Sequence, residues 1–194
     1  MLFQNTAERK KKEFDNWFNM ANRLSPDFFQ REVLEVAPDL IGKMLVRKFD
    51  DNSIERYPIT EVEAYRGRDD LACHAYKGKT KRTEVMFREG GLVYVYLIYG
   101  IYWLLNIVTG MEKDASAVLI RGIANISGPG RVGKKLQLDK TFYGENLSTS
   151  DRIWIENSGI DISFTATPRI GIDYAGEPWI SVPWRFVTKP WFFQ

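Results

Sequence analysis

Three residues in one short segment carry ionisable groups at a spacing that suits chemistry: Glu61, Glu63 and Tyr65, in Glu61-Val-Glu-Ala-Tyr65. In an extended strand, residues two apart share a face, so these three project one way while Thr60, Val62 and Ala64 project the other. The second face is small and suited to a core. The first sets carboxylates beside a phenol, which is costly inside a fold and frequent at active sites. A carboxylate held where water is scarce has a raised pKa and can act as a general base. The alternative is a strand glutamate paired with one of the 27 Lys and Arg residues. Spacing does not separate Glu61 from Glu63.

Downstream runs an aromatic ribbon, Leu92-Val-Tyr-Val-Tyr-Leu-Ile-Tyr-Gly-Ile-Tyr-Trp103. Tyr94 and Tyr96 share a strand face and suit a sheet core with hydroxyls reaching out. Tyr99-Gly100 interrupts the ribbon and reads as a hairpin tip. Core packing explains an aromatic there poorly, whereas such a ring can enter a base stack or replace an extruded nucleotide. Asn106 lies in an apolar stretch, so its amide makes either a structural bond or a contact into a pocket. Arg121 ends the apolar run 117–120, as a surface residue or as a partner that orients a carboxylate. Gly128 to Lys135 is a near miss for a phosphate-binding loop: the Ser/Thr that would hold magnesium is missing and a proline interrupts the N–H donors, so a nucleotide triphosphatase is rejected. That helix start, with Lys134 and Lys135, could still meet a DNA phosphate. His74 is the only histidine and reads by default as structural. The basic loop from Lys77 to Arg82 is either solvated or a backbone clamp.

These residues need strands to hold them. The pattern predicts strands near 54–65, 92–99, 101–109, 115–121, 152–156 and 179–187, with a turn at 50–52. It predicts a charged helix over 1–24, a helix opened by Ser25-Pro26 and ending near Ala37, another from Pro38 burying Leu40, Ile41, Met44 and Leu45, and a short one over 131–138. The fold class expected is α+β: one compact domain over 1–194, with a curved, mainly antiparallel sheet flanked by helices, and a protruding hairpin. A length of 194 residues, 44% hydrophobic and 27% charged, fits a soluble globular chain with a net charge of +2. One cysteine and one histidine exclude an internal disulfide and a His-rich zinc site, and no metal or cofactor is expected. Neither a signal peptide nor a span of roughly 20 apolar residues is legible, so a cytoplasmic location (nucleoid-associated in a prokaryote) and no membrane partner are expected.

Taken in order, Glu63-Ala-Tyr65, His74, Met86-Phe87, Tyr94-Val-Tyr96-Leu-Ile-Tyr99-Gly100, Asn106, Arg121, Ser127-Gly-Pro129 and Arg169-Ile-Gly171 resemble the alkyladenine (3-methyladenine) DNA glycosylases. The resemblance covers about Leu40 to Phe186. It implies a monofunctional repair enzyme that flips alkylated or deaminated purines from double-stranded DNA and hydrolyses the N-glycosidic bond, working as a monomer without lyase activity. By that resemblance Glu63 activates water, and Arg121 with the backbone near Ile170 holds it. Tyr65, His74 and Tyr96 wall the base pocket, Tyr99 fills the vacated stack, and Asn106 crowds the 2-amino group of guanine. Lys134, Lys135 and Arg82 are expected at the DNA backbone. The chain departs from the pattern at Thr83, where members often carry asparagine, at Ile101, where others carry methionine, and in the longer segment 109–115. Two other functions compete: a non-catalytic nucleic-acid module, which would not need Glu63, and a small-molecule enzyme with an aromatic cleft.

Overall fold

The computed structural model describes residues 22–159 and 162–188, so the helix expected over 1–24 falls outside the described residues apart from its last three positions. Strand β2 (Ile54–Tyr65) organises everything else. Its first half pairs with β1 (Met44–Lys48), and its second half pairs with β5 (Ser116–Ile123) on one side and β9 (Arg185–Val187) on the other. The remaining strands are β3 (Val93–Ile98), β4 (Tyr102–Thr109), β6 (Ile126–Ser127), β7 (Ile153–Glu156) and β8 (Thr165–Thr167). The main path of the sheet runs β3-β4-β5-β2-β1-β7, with every described pairing antiparallel. Register shifts around Glu61 mark an irregularity in β2, and extra residues of this kind bend a strand and raise its twist. The sheet therefore curls, as the α+β expectation requires.

The alternation in β2 sorts Val62 and Ala64 to the core as its sequence demands, while Ile59, of the opposite parity, joins them across the register shift at Glu61. Ile59, Val62 and Ala64 are fully buried in the main core. That core also takes in α1 (Pro26–Phe29), α2 (Val33–Asp39) and α3 (Pro129–Lys135) through Phe29, Val36 and Val132. A smaller apolar cluster, including Cys73, Met86, Leu92 and Tyr94, supports the other face near the aromatic ribbon.

Several local expectations change. Ser25 precedes Pro26 as expected, but its hydroxyl makes no capping bond. Pro38 lies inside α2 instead of opening another helix, and Met44–Lys48 is a strand. The apolar spacing of 40–45 suits a helix locally. Bonding to β2 on one edge and β7 on the other holds this segment extended, and tertiary pairing outweighs propensity. The strand expected over 179–187 shrinks to β9, because prolines at 178 and 183 cannot donate to a ladder. Its small partner β8 had no period-2 signal.

The hairpin tip follows the sequence closely. Tyr99 and Gly100 both have positive φ (53° and 72°), the φ signs of the turn that matches hairpin twist. Gly133 on α3 serves a different need, since a Cβ there would lie 1.8 Å from the Trp103 carbonyl oxygen of β4. Gly133→Ala should thus lower stability by about 1–3 kcal/mol through forced separation of helix and strand. Urea unfolding would show this as a reduced midpoint; an unchanged midpoint would contradict the close docking.

Candidate active site

Behind the aromatic ribbon lies a cleft of about 830 Å³. Tyr65 from β2, Tyr96 from β3, Asn106 from β4, Arg121 from β5 and His74 from a 3-10 turn all line it, with Ile170 from the loop before β9. Six of the expected residues, scattered over more than a hundred positions, thus meet at one place.

Glu63 does not line the cleft. It lies one layer beneath, wholly buried, and touches three groups that do. The Tyr65 hydroxyl donates to Oε2 at 2.8 Å and the Ile170 N–H donates to Oε1 at 2.8 Å. Arg121 approaches the same carboxylate at 3.3 Å from Nε and 3.4 Å from Nη1. Burial pushes the Glu63 carboxyl above its ordinary range, against the opposing pull of Arg121, the Ile170 N–H and the Tyr65 hydroxyl. Tyr65 is raised well above a normal phenol by burial and by Glu63, so it stays protonated and keeps donating.

Glu61, the other carboxylate on this face, has a different environment. Arg121 Nε reaches its Oε1 at 2.9 Å and Arg185 Nε reaches the same oxygen at 2.7 Å. Burial raises the Glu61 pKa, but the two guanidiniums more than offset it, and the net displacement is downward. The neighbouring carboxylates are therefore pushed in opposite directions, a pattern that separates a base from a permanent anion. Arg121, the strand-end arginine, is only 11% exposed in its side chain and is no surface residue.

The pocket walls are joined through His74. Its Nδ1 lies 2.8 Å from the Tyr94 hydroxyl and its ring meets Tyr96 edge-on at 4.6 Å. Arg82 Nη2 lies 3.3 Å from His74 Nε2. A guanidinium only donates, so Nε2 accepts and Nδ1 carries the proton toward Tyr94. Burial, then the charge of Arg82, lowers the His74 pKa to about 4. The Asn106 amide makes a structural bond, donating to the Tyr94 carbonyl at 3.1 Å and toward the Leu104 carbonyl at 3.4 Å, while the residue lines the cleft.

The hairpin tip stands free, with Tyr99 85% exposed and Ile101 68% exposed. Arg82 lies 4.8 Å over the Tyr96 ring, at the pocket itself. Lys134 and Lys135 lie elsewhere, in a second groove with Asp50, Asp51 and Glu55, where Lys135 pairs with Glu55 at 3.1 Å. It is the opposite end of their helix, from Gly128 to Arg131, that borders the cleft.

Sequence reasoning missed a supporting pair, Asp70 and Arg169, separated by 99 residues. Both side chains are fully buried and hydrogen-bonded to each other, with Arg169 Nη2 2.9 Å from Asp70 Oδ1. Arg169 also donates to the Ala64 carbonyl and lies 4.8 Å over the Tyr65 ring. It thereby fixes the loop that aims the Ile170 N–H at Glu63. Arg169-Ile-Gly171 was legible as a motif, but Asp70 sits in the run Arg66-Gly-Arg-Asp-Asp70, which reads as solvated. Arg185 was likewise unmarked.

The chain matches the family described as methylpurine-DNA glycosylase (MPG) over residues 27–127 and 124–190. Among curated relatives, a Psychrobacter cryohalolentis protein is 40% identical over 183 residues, covering 79% of this chain and 86% of its own. Others from Wolbachia pipientis wMel (45% identical, 86% of this chain and 92% of its own) and Legionella pneumophila strain Corby (43%, 86% and 94%) are similar. All three are provisionally named 3-methyladenine DNA glycosylase.

Two predictions follow from this geometry. Asp70→Asn leaves the Arg169 charge buried without its anion, and should cost about 3–5 kcal/mol of stability. Chemical denaturation that shows wild-type stability would refute the pairing. As the only histidine, His74 gives an unambiguous NMR titration, with an expected midpoint of about 4. Its folded pKa lies below the ordinary value of 6.5, so folding favours the neutral form. The associated stability is present above pH ~6.5 and is lost as pH falls toward about 4. An ordinary midpoint would mean that the ring is solvated.

Proposed function

The chain belongs to the methylpurine-DNA glycosylase family and is a DNA glycosylase, a hydrolase of N-glycosyl bonds, and we propose that it extrudes an alkylated or deaminated purine from duplex DNA and hydrolyses its bond to the sugar with Glu63 as general base. The observation that carries this reading is the buried Glu63 carboxylate, with a raised pKa, beneath a cleft whose lining includes its own partners Tyr65, Arg121 and Ile170. Arg121 holds Glu63 by long contacts that a water could replace, which suits a base and a cation sharing one nucleophile.

The substrates in this reading are 3-methyladenine, 7-methylguanine, hypoxanthine and ethenoadenine. A purine alkylated at N3 or N7 is already cationic and needs little acid to leave. Aromatic walls such as Tyr65 and Tyr96 favour such a base through its charge and electron-poor face. His74, neutral above about pH 4, orients the pocket without supplying a strong acid. What remains is to stabilise a sugar of oxocarbenium character and to deliver water, work for Glu63 and Arg121. Asn106 at the floor crowds the 2-amino group of an undamaged guanine.

Extrusion costs a few kcal/mol, least for a damaged or mispaired base. The exposed ring of Tyr99, set on a turn at the mouth of the cleft, is suited to occupy the gap in the stack. Among the described residues no lysine lines the cleft, which supports hydrolysis without a Schiff base and hence without strand cleavage. Action as a monomer completes this reading.

Duplex oligonucleotides bearing one hypoxanthine, ethenoadenine or 7-methylguanine should acquire abasic sites in metal-free buffer, with strands intact until alkali is added. Glu63→Gln should slow release by roughly 10²–10⁴-fold and retain salt-sensitive DNA binding. Because Glu63 must be ionised, activity should fall as pH drops through a midpoint above that of an ordinary glutamate. A Glu63→Gln protein as fast as wild type would exclude Glu63 as base. DNA binding without any base release would favour a binding module.

A further inference from the structure

Resting on the assignment of Glu63 as base, we infer that Glu61 is a positioning residue that holds Arg121 away from Glu63 and so keeps Glu63 basic, with Arg185 competing for the same Glu61 oxygen and tempering that pull. Arg121 could in principle close on either carboxylate. Its contacts are unequal: 2.9 Å from Nε to Glu61 against 3.3 and 3.4 Å to Glu63. The shorter, charge-assisted bond is the stronger one. Glu61 thus makes the closest contact and anchors the guanidinium, while Glu63 stays within its field at longer range.

Glu61 cannot be a second base in the same cleft. Its Oε1 is already occupied by two guanidiniums. Its Oε2 is approached by the Ser127 hydroxyl at 3.4 Å. Arg185 is itself held, by a 3.0 Å bond from Nη1 to Thr167 Oγ1 on the adjoining strand β8. The irregularity in β2 at Glu61 lies at this junction of β2, β5 and β9. The sequence feature behind it is a second glutamate two residues before the base, on the same strand face.

The charges around Glu63 come from every side. Arg121 faces it from β5, Tyr65 and Glu61 from its own strand, and the Ile170 N–H from the loop before β9. Tyr96 on β3 and Tyr174 in the loop before β9 are more distant phenols that feel the Glu63 charge. Among these, Glu61 is the one anion, and its charge opposes ionisation of Glu63. Removing that charge and freeing Arg121 would act in one direction: both make Glu63 a weaker base. Removing Arg185 acts the other way, since Glu61 then draws Arg121 harder and leaves Glu63 less compensated.

The test is the titration of Glu63 by carbon-detected NMR of its side-chain carboxyl, together with single-turnover base release across pH, in wild type, Glu61→Gln and Arg185→Gln. In Glu61→Gln the Glu63 midpoint and the acid limb of activity should both move to lower pH, with the maximal rate about tenfold down, a fraction of the roughly 10²–10⁴-fold a positioned base contributes. In Arg185→Gln both should move to higher pH. A role confined to stability would lower the unfolding midpoint and leave both profiles in place, which overturns the inference. Should Glu61→Gln fail to fold, Arg185→Gln decides alone: an upward shift supports the inference and an unmoved midpoint refutes it. The NMR readout needs no activity, so opposite shifts without base release would sink the glycosylase reading while leaving the electrostatic arrangement intact.

Discussion

A carboxylate with no exposure to solvent is the constraint on which this molecule is built. An isolated buried anion is prohibitively costly, so Glu63 must be surrounded by donors or become protonated. The fold supplies those donors from three separate segments: Tyr65 on the same strand, Arg121 across the sheet, and the Ile170 N–H from a loop more than a hundred residues away. Each donor needs its own support. Arg121 leans on Glu61, and Ile170 follows Arg169, whose guanidinium is locked to Asp70 and packed over Tyr65. The result is a layer of alternating charge under the aromatic cleft, partly compensated and therefore still basic.

The architecture explains how one layer can serve both core and site. Beyond its register shift, strand β2 presents Val62 and Ala64 to the main core and Glu61, Glu63 and Tyr65 to the opposite face. Burial of the first face fixes the register, since a slip of one residue would drive both carboxylates into the apolar core. Stability and chemistry are then the same specification read from two sides. Around this rigid strand, the aromatic hairpin projects into solvent and the pocket walls are tied through His74 to Tyr94 and Tyr96.

The central strands were legible because they depend on local signals, whereas the pocket walls were picked out only by the family resemblance. Period-2 alternation marked β2, the interrupted aromatic run marked the hairpin, and Tyr99-Gly100 marked its tip, where both residues take positive φ. The family resemblance then singled out Glu63 from Glu61, a choice that spacing left open. What escaped was non-local. Met44–Lys48 has a helix-like pattern and becomes a strand only because two neighbours bond to its edges. Asp70 and Arg185 look like ordinary surface charges, and their places in the buried or half-buried layer follow from partners distant in sequence. Lys134 and Lys135, the basic pair expected at a phosphate, lie in a groove separate from the cleft, where Lys135 pairs with Glu55.

The most direct test is a crystal structure of Glu63→Gln bound to a duplex with a single hypoxanthine. The account predicts the hypoxanthine nucleotide turned out into the cleft against Tyr65 and Tyr96, the Tyr99 ring in the vacated stack, and a water between residue 63, Arg121 and C1′. A duplex bound with the lesion still stacked and the cleft facing away from it would contradict the assignment of this site.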